Sequence, residues 1–268
     1  MEGKWPCKAP RRQIEPGVRI VGLPSSPDLN ELVVVLVRPR NPLNIGAAAR
    51  AMTNFGVFRL RLVNPYALAF REARSAVGAG EVLRAAEEFE NLPEAIADCS
   101  LVVGTTAVRD RALKHSVKTL GQDSADEIRS HLAIGRTALL FGSEKTGLSN
   151  HDFSHCHWLL TIPTKEQNIS MNLGQAVGVC LYELARSVAG KQSSEKKDPA
   201  TVGQLEEITR GLYESLKISG YVKPGNDAVS EKKARQLLRR MNLSAMDAKV
   251  LLGMVRQIVW KLRLPGKS

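Results

Sequence analysis

The sequence predicts an α/β domain on a mainly parallel sheet, followed by a small helical extension. Three observations carry that prediction. Short apolar runs of strand length alternate with helical stretches. The first run, Leu32-Val33-Val34-Val35-Leu36-Val37, is β-branched and apolar throughout, as suits a strand buried on both faces. A polar stretch (Gly190 to Pro199) then separates this region from three further helical segments.

In chain order, residues 1–30 have no sustained period and read as a flexible basic arm. Pro39 and Pro42 break the first strand, and an Ala-rich helix is expected over Asn44–Phe55, with Gly56 as a plausible stop. Phe58–Val63 alternates as a second strand, ended by Asn64-Pro65. Helices are expected over Glu81–Phe89, Pro93–Asp98 and Asp123–Leu132, with strands at Leu101–Gly104, Thr137–Gly142 and Trp158–Pro163. Asn172–Ala189 completes the domain as a helix with Leu173, Val177, Cys180, Leu181 and Leu184 on one face. The domain boundaries are thus 31–190, a linker at 191–200, and an extension at 201–268. That extension reads as helices over 202–219, 231–241 and 245–262, the last opened by Ser244 and Asp247.

Composition narrows the function. The 268 residues carry a formal charge of +11, but 31–190 holds only +1 while 191–268 holds +8. So uneven a balance points to a polyanion, usually nucleic acid, at the C-terminal end. No apolar run is long enough to span a bilayer, and four scattered cysteines suggest a reducing, cytoplasmic setting rather than a disulfide framework. The dinucleotide, P-loop and nucleophile-elbow motifs are all missing. His151, His155, Cys156 and His157 cluster without the second ligand pair a zinc site needs, so no metal is expected.

What remains are loops at the C-terminal ends of strands, where ligands of open α/β sheets bind. They are Gly104-Thr105-Thr106-Ala107, Phe141–Leu148, and Ile162-Pro163-Thr164 through Gly174. Their small residues leave backbone groups open to a planar, polar ligand. A fourth segment, Asn41–Arg50, puts Asn44 at a helix start and Arg50 further along it. There Arg50 is either a solvated residue or an anion-handling group.

Read together, N-x-x-N-I-G-A-A-A-R-A-M from Asn41, V-V-G-T-T-A from Val102, L-L-F-G-S-E-K-T-G-L-S from Leu139, and I-P-T…S-M-N-L-G-Q-A-V-G-V-C-L-Y-E from Ile162 resemble the SPOUT superfamily of methyltransferases. Within it the chain is most similar to the TrmH-type RNA ribose 2′-O-methyltransferases, and among those to the TrmJ branch acting on tRNA. The resemblance covers about 31–190. It implies a deep C-terminal trefoil knot, a homodimer, and S-adenosylmethionine held by Thr105, Thr106, Ala107, Gly142, Ile162, Ile169, Ser170 and Met171. It implies a catalytic Arg50 surrounded by Asn44, Glu144, Ser170 and Asn172. The substrate it implies is pyrimidine 32 of the tRNA anticodon loop, with ribosomal RNA or another tRNA position as the alternative. Lys232, Lys233, Arg235, Arg239, Arg240, Arg256, Lys261 and Arg263 are then the expected RNA-gripping charges, together with Arg50. Met171 and the charged Lys165-Glu166-Gln167 depart from the usual form of the last motif, and the N-terminal arm has no counterpart.

Overall fold

A computed structural model describes residues 28–66, 80–107, 115–165, 170–186 and 198–263. Expectations for the arm up to residue 27, most of the linker, and Ile169 lie outside the described residues.

Among the described residues, seven strands form one sheet: β1 (Leu32–Val37), β2 (Arg59–Val63), β3 (Glu87–Phe89), β4 (Leu101–Thr105), β5 (Val117–Thr119), β6 (Thr137–Phe141) and β7 (Trp158–Thr161). Their order is β3-β2-β1-β6-β4-β7-β5, and every pairing is parallel. All six residues of β1 are buried, as its uninterrupted apolar run predicts. Successive side chains of a strand face opposite ways, so the sheet builds two cores. Val34, Leu36, Leu62, Val103, Leu139 and Leu160 pack beneath four helices: α1 (Pro42–Asn54), α2 (Glu81–Arg84), α4 (Gln122–Leu132) and α6 (Leu173–Ala185). Val33, Val35, Val37, Val102, Leu140 and Leu159 pack on the other side, against α3 (Leu92–Ala95) and α5 (Asn150–Ser154). Each such side chain, fully withdrawn from water, contributes about 1.5–3 kcal/mol.

Local departures from the expected elements have identifiable causes. Helix α1 begins at Pro42 rather than Asn44, because proline is pre-set for a first helical position and the Asn41 side chain caps it by accepting from Leu43 N at 2.9 Å. The helix expected over Glu81–Phe89 stops at Arg84. Glu87–Phe89 instead pairs with β2, where Arg61 reaches Glu87 at 3.1 Å and its guanidinium lies 5.6 Å from the Phe89 ring centre. Helix α5 replaces an expected loop, closed by Ser149 and Asp152 as a reciprocal cap. Three-residue edge strands such as β5 carry too few residues for a period to show.

The extension consists of α7 (Val202–Ile218), α8 (Asp227–Arg240) and α9 (Ala245–Arg263), around a core that includes Leu205, Ile208, Leu238 and Val255. It is fastened to the sheet domain. Val202 N donates to Cys99 O at 2.7 Å, Gly203 N donates to Ala97 O at 2.8 Å, and Val202 enters the second sheet core. The apolar stripe of α9 divides: Leu251, Val255 and Val259 pack inward, whereas Val250, Met254, Ile258 and Leu262 face solvent. No helix among the described residues is long and apolar enough to cross a membrane.

Candidate active site

Strand order reverses between β1 and β6, and the loops leaving the strands there converge on one place. Glu144, in the loop after β6, is its hub. The carboxylate accepts from Arg40 N at 3.1 Å, Asn41 N at 3.2 Å and Asn44 Nδ2 at 2.9 Å. Asn172 Nδ2 donates to Asn44 Oδ1 at 2.8 Å, while Asn172 Oδ1 caps α6 by accepting from Gly174 N at 2.9 Å. Three loops and two helix starts are therefore tied through three side chains. Desolvation disfavours the Glu144 carboxylate, but the bonds from Asn44 and the surrounding backbone outweigh it and hold its pKa below the ordinary value. A carboxylate so engaged anchors the start of α1. Asn44 is likewise engaged by Glu144 and Asn172, and Asn172 by Asn44 and the α6 cap.

Beside this cluster lies a cavity of about 320 Å³. Thr105, Thr106, Ala107, Gly142, Ile162, Ser170 and Met171 all line it, so the sequence-expected residues of three separate loops meet on one space. Leu148 and Phe153 add an apolar wall and Ser143, Lys145 and Thr146 a polar rim. Phe153 was missed because its helix was unforeseen. The Thr105 hydroxyl donates to Leu140 O at 2.8 Å, which ties β4 to β6. Gly142 permits the tight loop: a Cβ there would stand 2.1 Å from the Gly147 carbonyl carbon and 2.2 Å from Leu148 N. Gly147 itself has φ 66°, the left-handed region.

Arg50 is on the exposed stripe of α1 that begins at Leu43, and it does not line the cavity. Its side chain has no ion-pair partner among the described residues. The basic set on the extension divides. Arg235 and Arg239 are corrections: only 7% and 1% exposed, they turn inward to Glu206, and Arg235 also meets Glu231. Burial, opposed by Glu206, brings the Arg239 guanidinium down to about 10. Neither charge is presented to a polyanion. Arg256 and Arg263 are exposed but paired with Glu207 and Glu214. Lys233, Arg240 and Lys261 are exposed and Lys232 half-buried, all four without an ion pair among the described residues.

His157 Nδ1 accepts from Val102 N at 3.0 Å, and His155 is buried beside Arg235 and Arg239, with burial first and those cations next pushing it down to about 3. His151 in α5 and His155 at its C-terminal cap meet edge to face, their ring centres 5.1 Å apart.

Comparison with known proteins decides the family. The SpoU rRNA methylase family matches residues 31–182, the whole sheet domain through most of α6. The chain belongs to the SpoU methylase family. This SpoU-family chain is 32% identical over 239 residues to the tRNA (cytidine/uridine-2′-O-)-methyltransferase TrmJ of Pectobacterium atrosepticum, spanning 86% of the chain and 97% of that protein. The enzyme of the same name from Yersinia pestis is 33% identical over 251 residues, 90% and 96% of the two. Among solved structures, TrmJ from Z. mobilis superposes with a TM-score of 0.73 at 33% identity, covering 84% of this chain and 98% of that one. These likenesses place the protein in the TrmJ branch of the SPOUT methyltransferases, and both the α/β class and the mainly parallel sheet agree.

Proposed function

We propose that the protein transfers a methyl group from S-adenosylmethionine to the ribose 2′-hydroxyl of pyrimidine 32 in the tRNA anticodon loop, as a homodimer. The observation that carries the reading is the convergence of Thr105–Ala107, Gly142–Leu148, Ile162, Thr164, Ser170 and Met171 on one cavity, braced by Glu144, Asn44 and Asn172. The residues fit the cofactor. Leu148, Phe153, Ile162 and Leu173 offer apolar surface for a purine, while the glycine-dependent loop leaves backbone donors and acceptors for its polar edges. When bound, the sulfonium supplies an electrophilic methyl group.

The chain's part is to position and to stabilise charge. A guanidinium stays protonated in proteins, so Arg50 acts as a cation that steadies the developing 2′-alkoxide and the adjacent phosphate. The proton then leaves through a phosphate oxygen or water. Since Arg50 is exposed and does not line the cavity of its own chain, it would serve the cavity of a second copy. The exposed apolar Leu43 on α1, with Val179 and Tyr182 on α6, supports an α1–α6 face between copies. Threading of the C-terminal part into a trefoil knot belongs to the same proposal.

Residues 201–268 form the RNA-holding extension in this reading, through Lys232, Lys233, Arg240 and Lys261. The decisive test is Arg50→Ala with two readouts: methylation is lost, while cofactor binding by calorimetry is retained. Activity near wild type would overturn the role. Mass spectrometry of ribose methylation in tRNA and ribosomal RNA from a deletion strain distinguishes position 32 from the alternative substrates.

A further inference from the structure

The loop after β6 is a ridge with a cavity on each side. On one side is the cofactor cavity just described. On the other, at the ends of β1 and β2, a second concavity of about 480 Å³ is lined by Arg38, Arg40, Asn64, Pro65, Tyr66, Ser143, Lys145 and Thr146. Ser143, Lys145 and Thr146 line both, so only the width of one loop separates them.

This second concavity is built rather than incidental. Arg38 and Asn64 end adjacent strands with φ of 53° and 44°, left-handed values that non-glycine residues seldom adopt. The turns are locked by Arg38 N donating to Val63 O at 2.8 Å, Asn64 N to Phe89 O at 2.8 Å, and Tyr66 N to Pro39 O at 3.1 Å. The Arg38 side chain is spent on buried Asp152. Among the described residues, Arg40 and Lys145 have no ion pair and no acidic side chain lines the space. Tyr66 is 59% exposed at its edge. A lone exposed tyrosine is ordinary, but one beside two cations without an ion pair, in a pocket whose described lining holds no acid, has the make-up of a single-strand nucleotide site: an aromatic surface for a base and cations for its phosphate.

We propose that this concavity holds the RNA nucleotide next to the methylated one, its base stacked on Tyr66 and its phosphate met by Arg40 and Lys145. The inference rests on the RNA methyltransferase reading above and assigns it a substrate subsite. It also explains why the Glu144 hub grips Arg40 and Asn41 through their backbone: the same carboxylate that orders the start of α1 holds Arg40 in place while leaving its guanidinium free for RNA.

The test uses the full-length chain with Tyr66→Ala, Tyr66→Phe and Arg40→Gln. Anisotropy of a labelled single-stranded oligoribonucleotide, KM and kcat on tRNA, and calorimetric cofactor binding are measured for each. Tyr66→Ala is expected to weaken oligonucleotide binding and raise KM for tRNA about tenfold, while Tyr66→Phe, which keeps the stacking face, stays within twofold of wild type. Arg40→Gln lowers the salt slope of binding by about one. Cofactor affinity is unchanged in all three. Unaltered RNA binding in Tyr66→Ala overturns the subsite, as does a loss of cofactor affinity in Arg40→Gln, which would assign that cation to the cofactor. A wild-type protein that binds the oligonucleotide through Tyr66 yet methylates no RNA would refute the enzymatic reading and leave the subsite standing.

Discussion

Replacing Gly142 by alanine should disable the enzyme through backbone displacement alone. The added Cβ would stand 2.1 Å from the Gly147 carbonyl carbon, 2.2 Å from Leu148 N and 2.6 Å from Gly147 O, whereas ordinary contact begins near 3.4 Å. None of these obstacles is a side-chain tip that swings aside. The 147–148 backbone must retreat by about 1 Å or more, and both residues line the cavity. A misplacement of about 1 Å near reacting groups costs on the order of 100-fold in rate, and overpacking of this kind costs about 1–3 kcal/mol in stability. Single-turnover methyl transfer to tRNA, calorimetric cofactor binding and urea unfolding read the three consequences separately. Gly253→Ala is the control. Nothing lies within 4 Å of its added Cβ, so the α9 interior should gain up to about 1 kcal/mol with no change in rate. A Gly142→Ala enzyme whose rate and cofactor affinity stay within threefold of wild type would refute the reasoning.

Other outcomes follow from burial and charge. Arg239→Met should leave RNA affinity and its salt slope unchanged, because the buried guanidinium never faces solvent, whereas Lys233→Ala should lower the slope by about one. A filter-binding salt titration in which the two variants behave alike would contradict this. Asp152 is disfavoured as an anion by burial, but the Arg38 hydrogen bond and the Ser149 cap outweigh that, so its pKa lies below the ordinary 3.8. Its stabilisation is therefore complete above that value and fades as pH falls through the lowered one. Arg38→Ala should cost about 2–3 kcal/mol at pH 7, with the deficit shrinking below about pH 4, as measured by urea unfolding at both pH values. Burial pushes the Cys180 thiol up to about 12 and raises Cys99 and Cys156 further, so all three should resist iodoacetamide until the protein is unfolded. Rapid labelling of native protein at any of them would show that its layer opens.

The extension cannot be removed as a clean test of RNA binding. Its first turn supplies Val202 to the second sheet core and caps the Ala97 and Cys99 carbonyls, so truncation opens the core as well as discarding charge. Point substitutions at Lys232, Lys233, Arg240 and Lys261 avoid that difficulty.

By itself the sequence determined the sheet class, the long helices and the strand-end loops that meet at the cavity. β1 is legible because a strand covered on both faces must be apolar at every position, and α6, α7 and α9 because long helices repeat their period several times. The cavity loops are legible because small residues at strand ends leave backbone exposed. Tertiary structure decided the rest. Whether Glu87–Phe89 joins a helix or an edge strand depends on Arg61 in β2, a partner remote in the chain. The family resemblance groups Glu144, Asn44 and Asn172 around Arg50, but only the fold shows the hydrogen bonds that join the three to one another. Arg235 and Arg239 count toward the basic excess until burial against Glu206 withdraws them from solvent. Charge and residue type are local properties of the chain, but which charges meet solvent is set by packing between segments far apart in it.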